Sequence, residues 1–253
     1  MGIIIKTSSE IALLQKGGLI LGRILQKVAQ RVKPGISTLE LDILAEELIK
    51  QAGGEPSFKG YRGFPATLCT SVNEEVVHGI PSAERILKEG DIIDLDIGMK
   101  YQGLFTDMSM TVGVGKIDQK ARELIEVTYQ ALLRGIAQVA PGKYTGDIGF
   151  AIQNFVEKRG FSVVRELVGH GVGKKVHEEP DIPNYGKKGE GVKLRKGMVI
   201  AIEPMVNQGD WRVIIKDNGW TAVTADHSLS AHFEQTVAVT EKGYQILTPL
   251  FFP

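Results

Sequence analysis

The chain has 253 residues, 43% of them hydrophobic and 24% charged, which is an ordinary globular composition and excludes collagen, coiled coil and disorder. Thirty Lys and Arg residues balance thirty Asp and Glu residues, so no overall charge favours nucleic acid or an anionic membrane. The only cysteine, Cys69, cannot form an internal disulfide, and the apolar stretch at residues 2–5 is too short for a signal sequence or a membrane span. These features predict a soluble, cytoplasmic protein.

Helix signals come first along the chain. Periodicity predicts a helix from about Ser9 to Val32, with Gly17-Gly18 as its weak point. Ser37 and Glu40 have the spacing of a capping box, so a second helix begins there and runs to Gly53-Gly54. A third helix is predicted over residues 118–139, and β-rich segments over 67–77, 91–99, 104–114, 197–206, 211–217, 220–224 and 233–240. The mixture predicts an α/β fold.

The second half of the chain repeats features of the first at a constant offset of 107 residues. The segment Val32-Lys33-Pro34-Gly35 and the helix after it recur from Val139-Ala140-Pro141-Gly142 onward. Two helices that follow Pro-Gly can resemble each other by chance, but the same offset carries Asp96 onto Glu203, and both acids lie in apolar, strand-like runs. This match favours one domain, residues 1–253, built from two related halves over about 1–115 and 116–253.

Asp96 and Asp107 flank a short turn, and acids inside apolar strands need an explanation because burying an unpaired charge is costly. If the hairpin is centred between Tyr101 and Gln102, the two aspartates face each other with Cβ atoms about 5 Å apart. Like charges at that distance repel each other unless a cation lies between them.

Glu203 and Glu234 are related in the same way across a longer hairpin. Its centre falls between Asn218 and Gly219, which is a strong signal for a two-residue turn. His170 has glycine on both sides, which lets the backbone bend and the imidazole project from the end of a strand.

Four carboxylates and one imidazole suit two divalent ions such as Mn, Fe(II), Co or Zn. The residues alone leave two alternatives, carboxylates that share a proton and acids exposed on a sheet edge. No CxxC or HExxH occurs in the sequence, which excludes zinc-finger and thermolysin-like sites. Two ions would support metal-assisted hydrolysis, with His78 and His177 as donors to substrate and transition state. His227 and His232 are predicted at the surface or behind the site.

Together these motifs resemble the methionine aminopeptidases of the bacterial, type I kind, over nearly the whole chain. The matching motifs are His78-Gly79-Ile80-Pro81, Asp94-Leu95-Asp96, Thr106-Asp107, Gly169-His170-Gly171-Val172-Gly173, His177-Glu178-Glu179-Pro180, Ile202-Glu203-Pro204-Met205 and Phe233-Glu234. The resemblance implies the pita-bread fold, in which two related α/β halves surround a dinuclear metal site. It also implies removal of the initiator methionine from nascent proteins when the second residue is small.

A role for each ligand follows from the resemblance. Asp96 would bind one ion, and His170 and Glu203 would bind the other. Asp107 and Glu234 would bridge the two ions. Glu203 would also act as the general base toward the attacking water.

The resemblance gives the remaining site residues as well. His78 would contact the scissile amide nitrogen or the residue after it, and His177 would stabilise the oxyanion. Val176 stands where the family often has an aromatic residue, so the resemblance does not determine the shape of the pocket wall at this position. The methionine pocket would include Tyr61, Phe64, Cys69 and Trp220. A monovalent cation would bind backbone oxygens of Asn73, Glu75 and Ser230.

The implied partners are peptides with N-terminal methionine, nascent chains, and the ribosome near its exit tunnel. A monomer without a membrane partner is expected. The alternatives are a proline-specific aminopeptidase of the same fold, which chain length disfavours, and a non-catalytic binding protein, which the intact ligand set disfavours. A basic stretch is a candidate ribosome surface, although most such runs are solvated loops: Lys187, Lys188, Lys193, Arg195 and Lys196.

Overall fold

The computed structural model describes residues 2–252 and has the mixed α/β architecture that the sequence predicts. Its helices are α1 (Ser8–Ala29), α2 (Thr38–Gln51), α3 (Gln119–Ile136) and α4 (Thr145–Glu157), with a short 3-10 helix at Tyr61–Gly63. Its strands are β1 (Glu55–Pro56), β2 (Leu68–Val72), β3 (Glu75–Val77), β4 (Ile92–Tyr101), β5 (Leu104–Gly113), β6 (Ser162–Val163), β7 (Gly169–Gly171), β8 (Glu178–Ile182), β9 (Val199–Ile202), β10 (Met205–Asn207), β11 (Val213–Ile215), β12 (Ala222–Thr224), β13 (Ser230–Val239) and β14 (Tyr244–Ile246). Within residues 2–252, no helix combines the length and hydropathy needed to cross a membrane.

A large antiparallel sheet lies at the centre of the molecule, with the strand order β1-β4-β5-β13-β9-β7-β8. β2 pairs with β4, and β10 and β14 pair with β13. α1 packs against β4 and β5, and α3 packs against β13 and α4. In β4, Ile93, Leu95 and Ile97 join the same hydrophobic core as the helices. Because side chains alternate along a strand, Asp94 and Asp96 face the opposite side of the sheet.

The structure confirms the repeat at an offset of 107 residues. α2 begins at Thr38 and α4 at Thr145, and the residue before each helix forms an isolated β-bridge, to Ile86 and Lys193 respectively. β4 begins at residue 92 and β9 at residue 199. The two segments therefore share their local hydrogen bonding as well as their sequence pattern.

The predicted register of the β4–β5 hairpin is wrong by one position at its centre. Asp96 lies opposite Ser109, and Asp107 lies opposite Gly98. The centre falls between Gln102 and Gly103, which both have positive φ (49° and 86°), as a tight hairpin turn of type I′ requires. The shift moves each partner by two residues, so both aspartates remain on the same face as diagonal neighbours.

The register predicted for Glu203 and Glu234 is confirmed. Ile202 pairs with Gln235 on β9 and β13, and the β11–β12 hairpin folds about Asn218 and Gly219 in the same register. The pairing of β10 with β13 continues that register beyond the interruption at residues 203–204. Glu203 therefore lies at the position opposite Glu234.

The prediction of a weak point at Gly17-Gly18 is wrong, because α1 continues through both glycines. A Cβ atom on Gly18 would lie 2.1 Å from the carbonyl oxygen of Leu247, and one on Gly17 would lie 3.2 Å from Cβ of Tyr101. The glycines allow close packing of the helix against the C-terminal segment and the β4–β5 hairpin.

Replacing Gly18 by alanine should lower the free energy of unfolding by about 1–3 kcal/mol, the usual cost of overpacking a tight interface. The clash with backbone should outweigh the gain in helix propensity of about 1 kcal/mol. Chemical denaturation measures the change. Gly243→Ala is the matched control, because nothing lies within 4 Å of the added Cβ there. An unchanged or increased stability of Gly18→Ala would contradict the packing argument.

Candidate metal centre

Five predicted ligands lie on or directly after five neighbouring strands of the large sheet. Asp96 is on β4, Asp107 on β5, Glu234 on β13 and His170 on β7, and Glu203 directly follows β9. These strands are consecutive in the sheet order, β4-β5-β13-β9-β7. The antiparallel registers therefore place one potential donor from each strand around a common point.

Three carboxylates of this cluster are buried and have an oxygen atom without a hydrogen-bond partner. Asp96, Asp107 and Glu234 are each no more than 6% exposed. One oxygen of each, Oδ1 of the aspartates and Oε1 of the glutamate, is buried and unpaired. Ligand atoms of Asp107, His170 and Glu234 lie within 4.8 Å of one another. Carboxylate oxygens with one imidazole fit a hard to borderline divalent cation, so the residues present suit the predicted metal ions.

Burial and mutual repulsion disfavour the charged form of these acids. Desolvation raises the pKa of Asp96 to about 7 and that of Glu203 to about 8, with neighbouring carboxylates adding to the rise. The pKa values of Asp107 and Glu234 lie well above their usual range for the same two reasons. A bound cation would reverse this preference, because opposite charge nearby favours the ionised carboxylates.

His170 is held in the form that a metal ligand needs. Its Nδ1–H donates to the carbonyl oxygen of Gly171 at 2.8 Å. Its Nε2 lies 3.5 Å from Oε1 of Glu203 and faces the cluster. Burial lowers the pKa of His170 to about 4, so the imidazole is neutral near pH 7 and keeps a lone pair on Nε2.

The sequence predicts His232 at the surface or behind the site and gives Asp94 no individual role, and the structure buries both beside the carboxylates. His232 is 1% exposed, and its Nδ1 lies 3.2 Å from Oδ2 of Asp94 and 3.1 Å from Oγ of Ser109. Its Nε2 lies 3.8 Å from Oε2 of Glu203. Burial lowers the pKa of His232, but the facing Asp94 and Glu203 outweigh this effect and raise it to about 9. His227, by contrast, is exposed.

Two further histidines lie at the mouth of the cluster. His78 follows β3 with a positive φ of 58°, and burial lowers its pKa to about 4. His177 stands at the rim, where its Nδ1 lies 3.1 Å from the hydroxyl of Tyr61 and its ring centroid 4.1 Å from that of His170. Both therefore border the space in front of the carboxylates.

A cavity of about 170 Å³ is lined on one part of its surface by apolar side chains and on another by the carboxylate cluster itself. Phe64 and Trp220 meet edge to face, with ring centroids 5.2 Å apart. Val176 is buried in the same apolar cluster. This volume is below the roughly 300–1,000 Å³ of sites for drug-sized ligands, so the cavity suits a single side chain. It is lined by the four predicted pocket residues, Tyr61, Phe64, Cys69 and Trp220. Phe58 and Arg62, which were not predicted, line it as well.

A larger groove of about 550 Å³ continues from the same site toward solvent. His78, His170, His177 and Glu203 border both the groove and the apolar cavity. The two spaces therefore meet at the potential ligands, and an extended chain can lie in the groove with its first side chain in the cavity.

Asn73 and Ser230, two of the residues expected around a monovalent cation, are neighbours. The backbone N–H of Ser230 donates to the carbonyl oxygen of Asn73 at 2.9 Å, and Asn73 has a positive φ of 60°. The side chain of Glu75, the third, accepts from the N–H of Val72 and pairs with Lys216.

Comparison with known proteins gives consistent similarities over nearly the whole chain. The profile of metallopeptidase family M24 matches residues 12–241. Methionine aminopeptidase from Clostridium perfringens is 51% identical over 97% of this chain and 98% of its own length. Methionine aminopeptidase 1 from Bacillus subtilis is 49% identical over 97% of this chain and 99% of its own.

Solved structures agree with these similarities. The crystal structure of methionine aminopeptidase from Thermotoga maritima superposes with a TM-score of 0.96 at 49% identity and covers 98% of this chain and 99% of its own. The prolidase from Pyrococcus horikoshii shares the fold, with a TM-score of 0.78 at 23% identity over 98% of this chain and 64% of the prolidase.

Replacing His170 by alanine should weaken the binding of Mn²⁺ to metal-stripped protein by at least about tenfold. A ligand that binds only the folded state stabilises it by about 2.7 kcal/mol at one hundred times its Kd, so Mn²⁺ should raise the Tm of the wild type more than that of the variant. A thermal titration with Mn²⁺ measures this. His227→Ala, at an exposed histidine, is the control and should respond like the wild type. Equal Mn²⁺-induced shifts in Tm for all three proteins would show that His170 is not a metal ligand.

Proposed function

The chain belongs to metallopeptidase family M24, and we propose that its site removes the N-terminal methionine from peptides and nascent proteins. The fold is the pita-bread fold of that family, as the resemblance implied. One observation carries the proposal: a cavity the size of a single apolar side chain ends at a buried cluster of carboxylates and an imidazole. Such a cavity restricts the residue before the cleaved bond to one with an apolar side chain of about this size.

We propose that five residues hold two divalent ions. Asp96 would bind one ion and His170 with Glu203 the other, with Asp107 and Glu234 between them. The unpaired buried oxygens of Asp96, Asp107 and Glu234 support this assignment. When bound, two such ions lower the pKa of a water molecule and polarise a carbonyl oxygen. The donor set suits Mn, Fe(II), Co or Zn and does not distinguish among them.

The protein's own side chains would carry the proton and the developing charge. Glu203 takes the proton of the attacking water and passes it on to the leaving amine. His177 donates a hydrogen bond to the carbonyl oxygen as negative charge develops there, and Tyr61 holds the imidazole from its other nitrogen. His78 contacts the amide nitrogen of the scissile bond. The lowered pKa of His78 keeps that imidazole neutral near pH 7.

Peptides that begin with Met-Gly or Met-Ala should release methionine, and peptides that begin with Met-Arg should not. The first side chain fills the apolar cavity, whereas a bulky second residue collides with the rim at His78. Chromatographic detection of free methionine measures this. Ala-Pro and Leu-Gly peptides in the same panel test the proline-specific alternative and the need for methionine. Equal cleavage of Met-Gly and Met-Arg peptides, or preferred cleavage before proline, would overturn the proposal.

Replacing His177 by alanine should lower kcat by about 100- to 1000-fold, the usual cost of losing one donor to a developing oxyanion. Bound metal should remain near the wild-type amount, because His177 is not among the proposed ligands. Tyr61→Phe should lower kcat less, since the imidazole stays but loses its orienting partner. Steady-state kinetics with metal analysis of the same samples measures both effects. Loss of metal from His177→Ala would make this residue a ligand instead.

We further propose that the chain docks on the ribosome near the exit tunnel through a basic groove between α3 and α4. Lys188, from the predicted basic stretch, lies there with Arg134, Lys158 and Arg159, and Asp147 is the one acid lining the groove. None of these four cations forms an ion pair within residues 2–252. Their surplus over the single acid supports contact with ribosomal RNA. Loss of all four charges should abolish co-sedimentation with ribosomes, whereas unchanged co-sedimentation would exclude this surface.

The remaining proposals concern the state of the whole protein. Residues 1–253 act as one catalytic domain, with halves over about 1–115 and 116–253, and as a monomer in the cytoplasm. Sedimentation analysis tests the monomer and cell fractionation tests the location. Asn73, Glu75 and Ser230 bind a monovalent cation through backbone oxygens, and the hydrogen bond between Ser230 and Asn73 brings two of these three residues together. A Tm that is independent of K⁺ would exclude it.

A further inference from the structure

Lys6 is a buried cation far in sequence from every predicted site residue. Its side chain is 1% exposed and forms an ion pair with Glu178, whose side chain is 2% exposed. Its backbone N–H donates to the carbonyl oxygen of Gly197 at 2.8 Å, and its Nζ lies 3.3 Å from the carbonyl oxygen of Ile4. Ile4 in turn lines the groove next to the site. The segment before α1 is therefore fixed at the edge of the site.

The partner of Lys6 organises the loop that carries His177. Glu178 directly follows His177, and its Oε1 accepts the backbone N–H groups of Lys174 and Lys175, at 3.0 Å for the latter. The other carboxylate oxygen receives the ammonium group of Lys6. Glu178 thus joins the start of the loop, its end and the N-terminal segment in one set of charge-assisted hydrogen bonds, which are stronger than neutral ones.

The backbone of the loop makes room for the lysine. Gly173 has a φ of +135°, and a Cβ atom there would lie 2.6 Å from Cε of Lys6. The N–H of Phe105 donates to the carbonyl oxygen of Gly173 at 2.8 Å, which ties this end of the loop to β5. The loop therefore passes directly against the lysine stem at Gly173, where glycine allows the close approach.

We infer that Lys6 is a positioning residue that acts through His177, by holding Glu178 and thereby the loop that carries the imidazole. The inference rests on the proposed role of His177. A surface ion pair in the same loop gives a contrast, because Lys174 pairs with Glu10 while its own side chain is 42% exposed. Exposed pairs contribute little, whereas removing one partner of a buried pair leaves an unpaired charge in the interior.

A double-mutant cycle tests the inference. Lys6→Met should lower kcat on a Met-Ala-Ser peptide by about 10- to 100-fold, since a displacement of about 1 Å in a catalytic group has effects of that size. KM and bound metal should stay near wild type. In the His177→Ala background the same substitution should change kcat less than about twofold, because the residue that it positions is already gone. Lys174→Met is the control and should retain wild-type kcat.

Glu178→Gln gives a second cycle with a nearly isosteric change, in case Lys6→Met does not fold. It should behave like Lys6→Met in both backgrounds. An equal loss of kcat with and without His177, or no loss in the wild-type background, would overturn the positioning role while leaving the role of His177 intact. If His177→Ala itself left kcat unchanged, the proposed catalytic role would fail, and this inference would fail with it.

Discussion

Carboxylates from adjacent strands of the large sheet repel one another, and the rest of the fold has to hold them together. Asp96, Asp107 and Glu234 are buried, Glu203 is largely buried, and their charges disfavour one another. Each such burial costs several kcal/mol when uncompensated, so the rest of the fold must hold these acids in place. The apolar alternate residues of the same strands do this by packing against the helices. Bound divalent cations would turn the repulsion into attraction.

The same burial decides the state of the groups around the cluster. Desolvation lowers the pKa of His78 and of His170, which keeps both imidazoles neutral as hydrogen-bonding groups or ligands. Behind them, His232 remains between Asp94 and Glu203 as a buried polar link. The apolar cavity in front excludes water from the first side chain of a substrate, and the groove beyond it leaves the rest of the chain solvated. Cavity, ligands and rim thus belong to one arrangement of adjacent strands.

Much of this arrangement can be predicted from the sequence. The repeat predicts two related halves, and the turn signal at Asn218-Gly219 predicts the register of Glu203 and Glu234. The β4–β5 register was missed because the turn uses Gln102 in a positive-φ conformation that its residue type does not indicate. The segment predicted at 197–206 divides at Pro204, which has no N–H for the ladder. Strands of two to five residues, such as β1, β6, β8 and β14, are too short to show alternation. For His232 the sequence favours the position behind the site over the surface, because the residue lies two positions before Glu234 on the same strand face.

The dependence of catalysis on the carboxylate cluster is tested by the rate of methionine release from exhaustively chelated protein. Metal content is measured on the same sample as divalent metal is added back. We expect no turnover near zero metal, a folded protein throughout, and turnover that rises in proportion to the metal bound. Full activity with metal content near zero would contradict the assignment of the carboxylate cluster as a catalytic metal centre.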